Sequence, residues 1–283
     1  MLEKVTEKEV SIIKANGRRE AFDPNKLVNS LMNSGADEEI AKEVLSHIVS
    51  EIHGDMTTKE IYSHAFSILK NISKPVARSY SLRRAIMDLG PSGFPFEDFV
   101  AEILSAKGYK CETRQVVLGE CVPHEMDVVA YTEDKLLMVE AKFHNELGTK
   151  SDLKVALYIK ARFDDLNENV FKYGGKDRKV TDSWLMTNTK FSSTAIHYGV
   201  CKNLTMIGWN YPEKGNLKDM IEEEGLHPIT CLTSLSDEEK KLLVNARIVM
   251  CSTIHQDPKV LKEVLGETHK SEEVINEVNE LYK

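Results

Sequence analysis

Between Met126 and Lys142 a polar turn separates two short apolar runs, an arrangement typical of a β-hairpin. The apolar runs cover residues 128–131 and 136–139, and residues 132–135 supply the turn. A hairpin this apolar fits the interior of a sheet better than its surface. The charged residues at its open end therefore stand out against an otherwise buried element.

Those charged residues are Asp127, Glu140 and Lys142. Side chains alternate between the faces of a strand, so Glu140 and Lys142 point the same way. If the strands pair around the four-residue turn, Asp127 lies near Glu140. Hard divalent cations such as Mg²⁺ are bound by one or two carboxylates with water and substrate phosphate. A lysine beside such a cation orients or deprotonates the attacking water, which predicts a metal site for phosphodiester hydrolysis.

With the helix that precedes it, this hairpin resembles the PD-(D/E)xK nuclease superfamily, and in particular its Mrr-type restriction endonuclease branch. The helix reads FPFEDFVAEIL from Phe94, followed by Lys107-Gly108-Tyr109, and the resemblance covers residues 94–212. The sequence departs from the family pattern at Met126, where proline is usual. The resemblance implies an endonuclease that uses Mg²⁺ or Mn²⁺ on nucleic acid, which we expect to be DNA, in restriction or defence.

A third carboxylate for the metal is expected from the first helix, where Glu97 and Glu102 compete. Glu97 shares its helical rows with apolar residues three, four and seven positions on, whereas Glu102 has Asp98 and Ala106 as neighbours. Glu97 is therefore predicted to lie nearer the core edge and to complete the metal shell. Glu102 is the alternative.

Further polar residues flank the predicted metal ligands. On an extended chain Glu125 lies on the same face as Asp127, whereas His124 lies on the opposite face. His144 lies on the same face as Lys142 if the strand continues. We interpret His124, Glu125 and His144 as residues around the metal shell or as substrate contacts. On the next predicted helix Lys154, Tyr158 and Arg162 recur every four residues, which suits phosphate contacts and equally a solvent-facing charged helix.

The first ninety residues resemble the ATP-cone, a small regulatory domain that binds ATP or dATP. The similarity lies in the run IKANGRREAFDPNKL from Ile13, in Thr58-Lys59-Glu60-Ile61, and in the pattern from Val76 to Arg84. The resemblance implies that Lys14 and Lys26 contact phosphates and that the Gly17 turn lets the backbone approach the nucleotide. It also places residues with binding roles along the same segments: Asn16, Arg18, Arg19, Glu20 and Thr58.

Two points qualify the nucleotide site. Ala15 stands where family members often have a basic residue, which affects phosphate affinity or nucleotide choice. Arginines and lysines such as Lys14, Arg18, Arg19 and Lys26 also form solvated surfaces without any ligand.

Periodicity and turn residues predict an α/β (α+β) protein in three parts. Residues 1–90 form a mostly helical domain with a short hairpin and helices near 24–34, 37–52, 58–72 and 75–89. Residues 94–212 follow the linker at Gly90-Pro91-Ser92-Gly93 and form an αβββαβ core, and residues 213–283 add a helical extension. A helix-hairpin-helix in that extension is only faintly indicated, because no glycine stands between Asn245 and Ile248.

Composition sets outer limits on function. The chain has 283 residues, a net charge of −8 and five scattered cysteines with no C-x-x-C pair. These features predict a cytoplasmic protein without a disulfide framework, a zinc site or a membrane span. We expect a homo-oligomer. The competing function class is a nucleotide-responsive regulator that binds DNA without cutting it.

Overall fold

A computed structural model describes residues 10–14, 17–90, 92–146, 149–266 and 271–282 of the chain. The chain divides into two compact units, Met1–Arg84 and Ala85–Lys283. Within the described residues, no helix is both long enough and apolar enough to span a membrane.

The first unit is a short hairpin followed by helices. Strands β1 (Ser11–Ile13) and β2 (Arg19–Ala21) pair antiparallel. The helices are α1 (Pro24–Met32), α2 (Glu38–Glu51), α3 (Thr58–Ile72) and α4 (Lys74–Met87).

Side-chain caps fix where these helices begin. Asp23 accepts hydrogen bonds from two backbone N–H groups of α1, and Pro24 occupies its first turn. Thr57 and Glu60 form a capping box at the start of α3. The apolar faces of the helices pack into one core, which includes Leu31, Ile48 and Leu69.

The second unit is built on a mixed five-stranded sheet. Helix α5 (Phe94–Ala106) precedes the strands β3 (Lys110–Leu118), β4 (Pro123–Tyr131) and β5 (Leu136–Lys142), which pair antiparallel in that order. After the short β6 (Lys150–Ser151) and helix α6 (Leu153–Leu166) the chain forms a separate hairpin, β7 (Val170–Tyr173) and β8 (Lys176–Lys179).

The remaining strands extend the sheet on the far side of β5. Strand β9 (Asp182–Thr187) pairs parallel to β5, and β11 (Thr205–Ile207) pairs parallel to β9, which gives the strand order β11-β9-β5-β4-β3. Between them lie β10 (Lys190–Phe191), which pairs with β6, and helix α7 (Ser193–Cys201). The mixed α/β class predicted from the sequence is thus confirmed.

The chain ends in short helices with a core of their own. They are α8 (Leu217–Glu223), α9 (Asp237–Asn245), α10 (Cys251–Gln256), α11 (Lys259–Leu265) and α12 (Ser271–Leu281). Ile229, Leu243, Leu261 and Val278 are completely buried in this cluster. The cluster places the α9–α10 turn next to the N-terminus of α5, since Arg247 of that turn contacts Asp98.

Candidate active site

The open end of the β4–β5 hairpin brings Asp127 and Glu140 together. The strands pair with Val128 opposite Val139, so that the next step of the register sets Asp127 against Glu140. The carboxylate of Asp127 accepts a hydrogen bond of 2.7 Å from the backbone N–H of Ala141. The two side chains are half-buried, as expected for polar residues that end an apolar hairpin.

Helix α5 contributes Glu97 to the same carboxylate cluster. Its side chain is buried, whereas the alternative Glu102 is exposed. Burial and the charge of Asp127 raise the pKa of Glu97 to about 7. The Arg114 guanidinium, 3.1 Å from Glu97 Oε2, opposes that rise. Asp127 and Glu97 therefore repel each other, although they come from different elements.

Glu140 shows the same electrostatic situation. Burial and the charge of Asp127 raise its pKa to about 7, against the attraction of Arg162. Burial also raises the pKa of Asp127. The exposed Lys142, two residues after Glu140 on β5, lies close enough for its positive charge to lower the pKa of both Asp127 and Glu140. For all three carboxylates, burial outweighs the attraction of these cations.

Arg162 of α6 is the internal counter-charge of this cluster. Its Nη1 atom donates to Glu140 Oε2 at 2.5 Å, and its Nη2 atom donates to the Glu125 carbonyl. The pair is largely shielded, with side chains 11% and 16% exposed. The guanidinium also lies 5.6 Å from the ring of Tyr158. Glu140 therefore accepts from a fixed cation of the protein itself.

The carboxylates suit a divalent cation chemically, but the cation can bind only after Arg162 moves away from Glu140. Carboxylate oxygens and the Ala141 carbonyl are the donors that Mg²⁺ and Mn²⁺ prefer, and burial, which raises the pKa of Glu97 and Glu140, disfavours their charged forms unless a cation stands beside them. In the described part of the chain, however, no three Asp, Glu, His or Cys side chains stand close enough to hold one ion. Binding of a cation by Glu140 and Asp127 requires Arg162 to release Glu140.

The two predicted histidines are held by other partners than a metal. His124 Nε2 lies 2.8 Å from Asp165 Oδ2, and Asp165 also accepts from the backbone of Cys121 and Val122. The His124 hydrogen bond lowers the pKa of Asp165 to about 2. This network orders the β3–β4 turn. The side chain of Glu125 is exposed, and its negative charge raises the pKa of Asp127. Its backbone carbonyl accepts a hydrogen bond from Arg162.

His144 joins a buried group of hydroxyl side chains behind β5. Its Nε2 atom lies 2.9 Å from Ser151 Oγ, and Asn188 bonds to its backbone on both sides. Burial lowers the pKa of His144, so that the neutral ring is favoured. The residue anchors the segment that follows Lys142.

The predicted phosphate-binding stripe on α6 is divided by the fold. Lys154 and Tyr158 are exposed, but Arg162 turns inward to Glu140. The four-residue spacing placed the three on one helical face correctly; it did not reveal that the face meets the sheet edge at Arg162.

Three residues that the sequence interpretation missed complete the surroundings of Glu97. Arg114 donates to Asp98 as well as to Glu97, and Arg247 donates to Asp98 at 2.7 Å. Asp98 directly follows Glu97, which was the available signal. Arg114 has a positive φ of 56° in the middle of β3, and simple strand alternation gives no indication of that.

In the first unit, the predicted nucleotide-binding residues gather around Glu20. Lys14 Nζ lies 2.9 Å and Lys26 Nζ 3.5 Å from its carboxylate oxygens. Gly17 has a φ of 78°, which L-residues rarely adopt, and a Cβ at this position would meet no atom.

The other predicted residues of this unit have different surroundings. Arg19 donates to the Gly54 carbonyl and pairs with Asp55. Arg18 is exposed, and Thr58 begins α3. Asn16 lies outside the described residues.

Comparison with known proteins accounts for both ends of the chain. Residues 10–89 match the ATP cone domain, and residues 227–282 match the family described as AF1548-like, C-terminal. An uncharacterized protein of Archaeoglobus fulgidus is 36% identical over 183 residues, which are 64% of this chain and 99% of the relative. The chain belongs to the AF1548-like family.

A solved member of the family has a comparable fold. The crystal structure of AF1548, a protein of unknown function, superposes with a TM-score of 0.56 at 35% identity and covers 67% of this chain and 98% of its own. This chain therefore combines an AF1548-like protein with an N-terminal ATP-cone, and an ATP-cone is a nucleotide-binding regulatory domain. The Mrr-type resemblance has no counterpart among these matches.

Proposed function

We propose that the second unit is a metal-dependent nuclease of PD-(D/E)xK type that cleaves phosphodiester bonds of nucleic acid, with DNA as the expected substrate. The observation that carries the proposal is the pairing of Asp127 with Glu140 at one end of a buried hairpin, with Lys142 nearby on β5. An apolar hairpin gains nothing in stability from two adjacent half-buried carboxylates. A role in binding a cation explains their presence.

In this proposal Asp127, Glu140 and the Ala141 carbonyl would hold Mg²⁺ or Mn²⁺. Glu97 would have to move towards them to complete the ligand set, because among the described residues no three carboxylates stand close enough to share one ion. The metal, when bound, lowers the pKa of the attacking water and stabilises charge on the scissile phosphate. Lys142 orients that water by a hydrogen bond from its ammonium and offsets the negative charge that develops on the phosphate. Arg162 would release Glu140 and keep its existing contacts with the Glu125 carbonyl and the Tyr158 ring.

A plasmid-nicking assay tests the activity directly. With Mg²⁺ or Mn²⁺ present, we expect Asp127→Ala and Lys142→Ala each to lower the nicking rate by roughly 100-fold or more. Asp134→Ala, in the exposed turn of the same hairpin, is the matched control and should nick like the wild type. Equal nicking by Asp127→Ala and wild type would end the proposal.

We further propose that ATP or dATP bound to the ATP-cone controls the nuclease, through its rate or through assembly into a homo-oligomer. Such control requires the nucleotide to bind two states of the protein with different affinity. An ATP titration followed by nicking rate and by light scattering measures both effects. If neither changes at saturating ATP, the cone does not regulate this activity.

A second candidate is a nucleotide-responsive regulator that binds DNA without cutting it. The observation in its favour is that arginines already hold two of the three carboxylates, Glu97 and Glu140. In that case Asp127→Ala should leave ATP-dependent DNA binding intact, and no nicking should occur with any divalent cation. A defensive role in the cytoplasm is compatible with either function.

A further inference from the structure

A cleft of about 300 Å³ lies beside Glu97, between the start of α5 and the α9–α10 turn. Its lining includes Phe94, Pro95, Asp98, Arg114, Asn245 and Arg247. The volume is near the lower end of the range for small-molecule sites, roughly 300–1,000 Å³. Two guanidinium groups and an aromatic ring in so small a space point to an anionic ligand with a flat part.

A buried carboxylate fixes both guanidinium groups in place. Asp98 Oδ1 accepts from Arg114 Nη2 at 2.8 Å and from Arg247 Nη2 at 2.7 Å, and Thr113 Oγ1 also accepts from Arg247 at 2.8 Å. Asp98 is 9% exposed, whereas the Arg247 side chain is 59% exposed. Preorganised donors lose little conformational entropy when a ligand binds.

Arg247 keeps donors that the protein does not use. Its Nε and Nη2 atoms bond to Asp98 and Thr113, and within the described residues its Nη1 atom has no hydrogen-bond partner. A guanidinium has five N–H donors in a planar fork that matches phosphate oxygens. The exposed side of Arg247 is thus suited to a phosphate.

The backbone conformation of Arg247 is one that glycine adopts more easily than arginine. Its N–H bonds to Val244 and that of Ile248 bonds to Leu243, which together form the Schellman reversal that ends α9. The residue at this position has a φ of 64°. Among the described residues, four other helices end in the same reversal, and there the residue with positive φ is Gly35, Gly108, Asn203 or Gly225. Arginine at α9 is strained, and such strain is common at functional sites.

An aromatic ring stands beside the guanidinium groups. Phe94 is 57% exposed, and its ring lies 5.6 Å from the guanidinium carbon of Arg114. An exposed ring next to cations is the arrangement on which the bases of unpaired nucleotides stack. The cleft therefore offers a place for a base and a place for its phosphate.

We propose that this cleft binds one unpaired nucleotide, with the phosphate on Arg247 and the base on Phe94. The inference rests on the proposed function and extends it, because the cleft lies next to Glu97 and would hold a strand beside the cleavage site. It also gives the AF1548-like C-terminal segment a role in substrate binding, through Arg247. The same chemistry serves a free mononucleotide.

Binding of a fluorescein-labelled single-stranded oligonucleotide, measured by anisotropy in EDTA with the full chain, tests the cleft without cleavage. Arg247→Gly and Phe94→Leu should each weaken binding roughly tenfold. Arg247→Lys, which keeps the charge but loses the fork, should fall between Arg247→Gly and wild type. Lys135→Gln removes a charge from the turn at the other end of the β4–β5 hairpin and should change binding less than twofold.

Two further readouts separate a binding role from a structural one. Arg247→Gly relieves the backbone strain at position 247 and leaves Asp98 paired with Arg114, so that these effects offset the hydrogen bonds lost to Asp98 and Thr113 and the Tm should stay within about 5 °C of the wild type while binding falls. In Arg247→Gly the slope of log affinity against log salt concentration should fall by about one unit, because one phosphate contact is gone. Phe94→Leu should keep the wild-type slope. Thymidine 5′-monophosphate is added to compete with the labelled oligonucleotide. If it displaces the oligonucleotide from the wild type but not from Arg247→Gly, the cleft binds free nucleotides; if it displaces none, the cleft binds strands.

Wild-type affinity in both Arg247→Gly and Phe94→Leu, or no oligonucleotide binding by the wild type, would overturn the proposal. The nicking assay separates this result from failure of the proposed function. If the cleft variants bind normally while Asp127→Ala abolishes nicking, the cleft is wrong and the nuclease stands. If the cleft variants lose binding and no variant nicks DNA, the cleft stands without the nuclease.

Discussion

The two units of this chain each contain a cluster of carboxylates and cationic side chains, and the clusters differ in how far they are shielded from water. In the ATP-cone, Lys14 and Lys26 surround one carboxylate, Glu20. In the second unit, Asp127 stands beside two more carboxylates, Glu97 and Glu140, and raises the pKa of both. The first cluster holds its carboxylate in the charged form, whereas the second favours the protonated form of Glu97 and Glu140.

Burial makes the difference more than the number of charges. The Lys14 hydrogen bond lowers the pKa of Glu20, whose side chain is 31% exposed. Burial raises the pKa of Glu97 and Glu140 despite their arginine partners. Water weakens charge interactions in the cone, and its exclusion strengthens them beside β5. Changes at the buried cluster should accordingly have larger effects on stability.

The largest effect is expected from Arg162→Gln. This change leaves Glu140 and Asp127 without their shielded counter-charge, and breaking such a pair costs about 3–5 kcal/mol in free energy of unfolding. We expect a loss near the lower limit at pH 8, measured by urea denaturation without metal. At pH 5.5 the loss should be smaller, because Glu140, with a pKa of about 7, is then mostly protonated.

Lys154→Gln is the control for this prediction, since it removes a charge from an exposed position of the same helix. Its effect should stay within about 0.5 kcal/mol at either pH. A pH-independent loss in Arg162→Gln would mean that Arg162 acts by packing and not as the counter-charge of Glu140.

The second effect concerns divalent cations and pH. The pKa values of Glu97 and Glu140 in the folded protein lie above those of the unfolded chain, so both groups contribute stability below about pH 4.5 and lose it as the pH rises to about 7. A bound cation reverses that penalty. At 100 times its Kd, Mn²⁺ should raise the free energy of unfolding by about 2.7 kcal/mol at pH 8.

The gain from Mn²⁺ should shrink at pH 5.5, because protons compete for the same carboxylates. Thermal unfolding with and without Mn²⁺ at both pH values measures it, and Asp127→Asn should abolish it. Equal stabilisation of the wild type and Asp127→Asn would place the cation elsewhere on the protein.

How far the sequence predicts this molecule depends on whether the controlling interactions are local. Helix starts were predictable because Asp23 and Thr57 are followed by the N–H groups that they cap. The hairpin with Asp127 opposite Glu140 follows from turn length and alternation alone. Helical rows correctly separated the buried Glu97 from the exposed Glu102.

Interactions between distant segments were not predictable. Arg162 reaches Glu140 across 22 positions, and Arg247 reaches Asp98 across 149. The β7–β8 hairpin was also missed, although Gly174-Gly175 is a turn signal: each strand has only four residues, and β8 is polar throughout. The helix-hairpin-helix stays a weak prediction; the turn between Asn245 and Ile248, where no glycine stands, is made by Arg247 with a φ of 64°.

The third effect tests the exposed cluster of the cone. Lys14→Gln removes one of the two ammonium groups beside Glu20, and it should weaken ATP binding roughly tenfold, or about 1.4 kcal/mol. Isothermal titration calorimetry with the full chain measures the affinity. Lys42→Gln, in an exposed pair with Glu38 on α2, is the control and should leave ATP affinity unchanged. Unchanged affinity in Lys14→Gln would move the phosphate site away from Glu20.

The smallest effect is expected from Arg19→Gln, and it defines how far the cone site extends. Arg19 is one of the predicted nucleotide-binding residues, yet its guanidinium bonds to the Gly54 carbonyl and to Asp55, in a pair whose side chains are 57% and 81% exposed. Exposed pairs contribute about 0.2–1 kcal/mol, so stability should fall by less than about 1 kcal/mol. If Arg19 only joins β2 to Gly54 and Asp55, ATP affinity should fall less than threefold, because Lys14 and Lys26 remain. A tenfold loss, comparable to that of Lys14→Gln, would show that Arg19 leaves Asp55 to join the phosphate contacts, and that the nucleotide site extends beyond the Glu20 cluster.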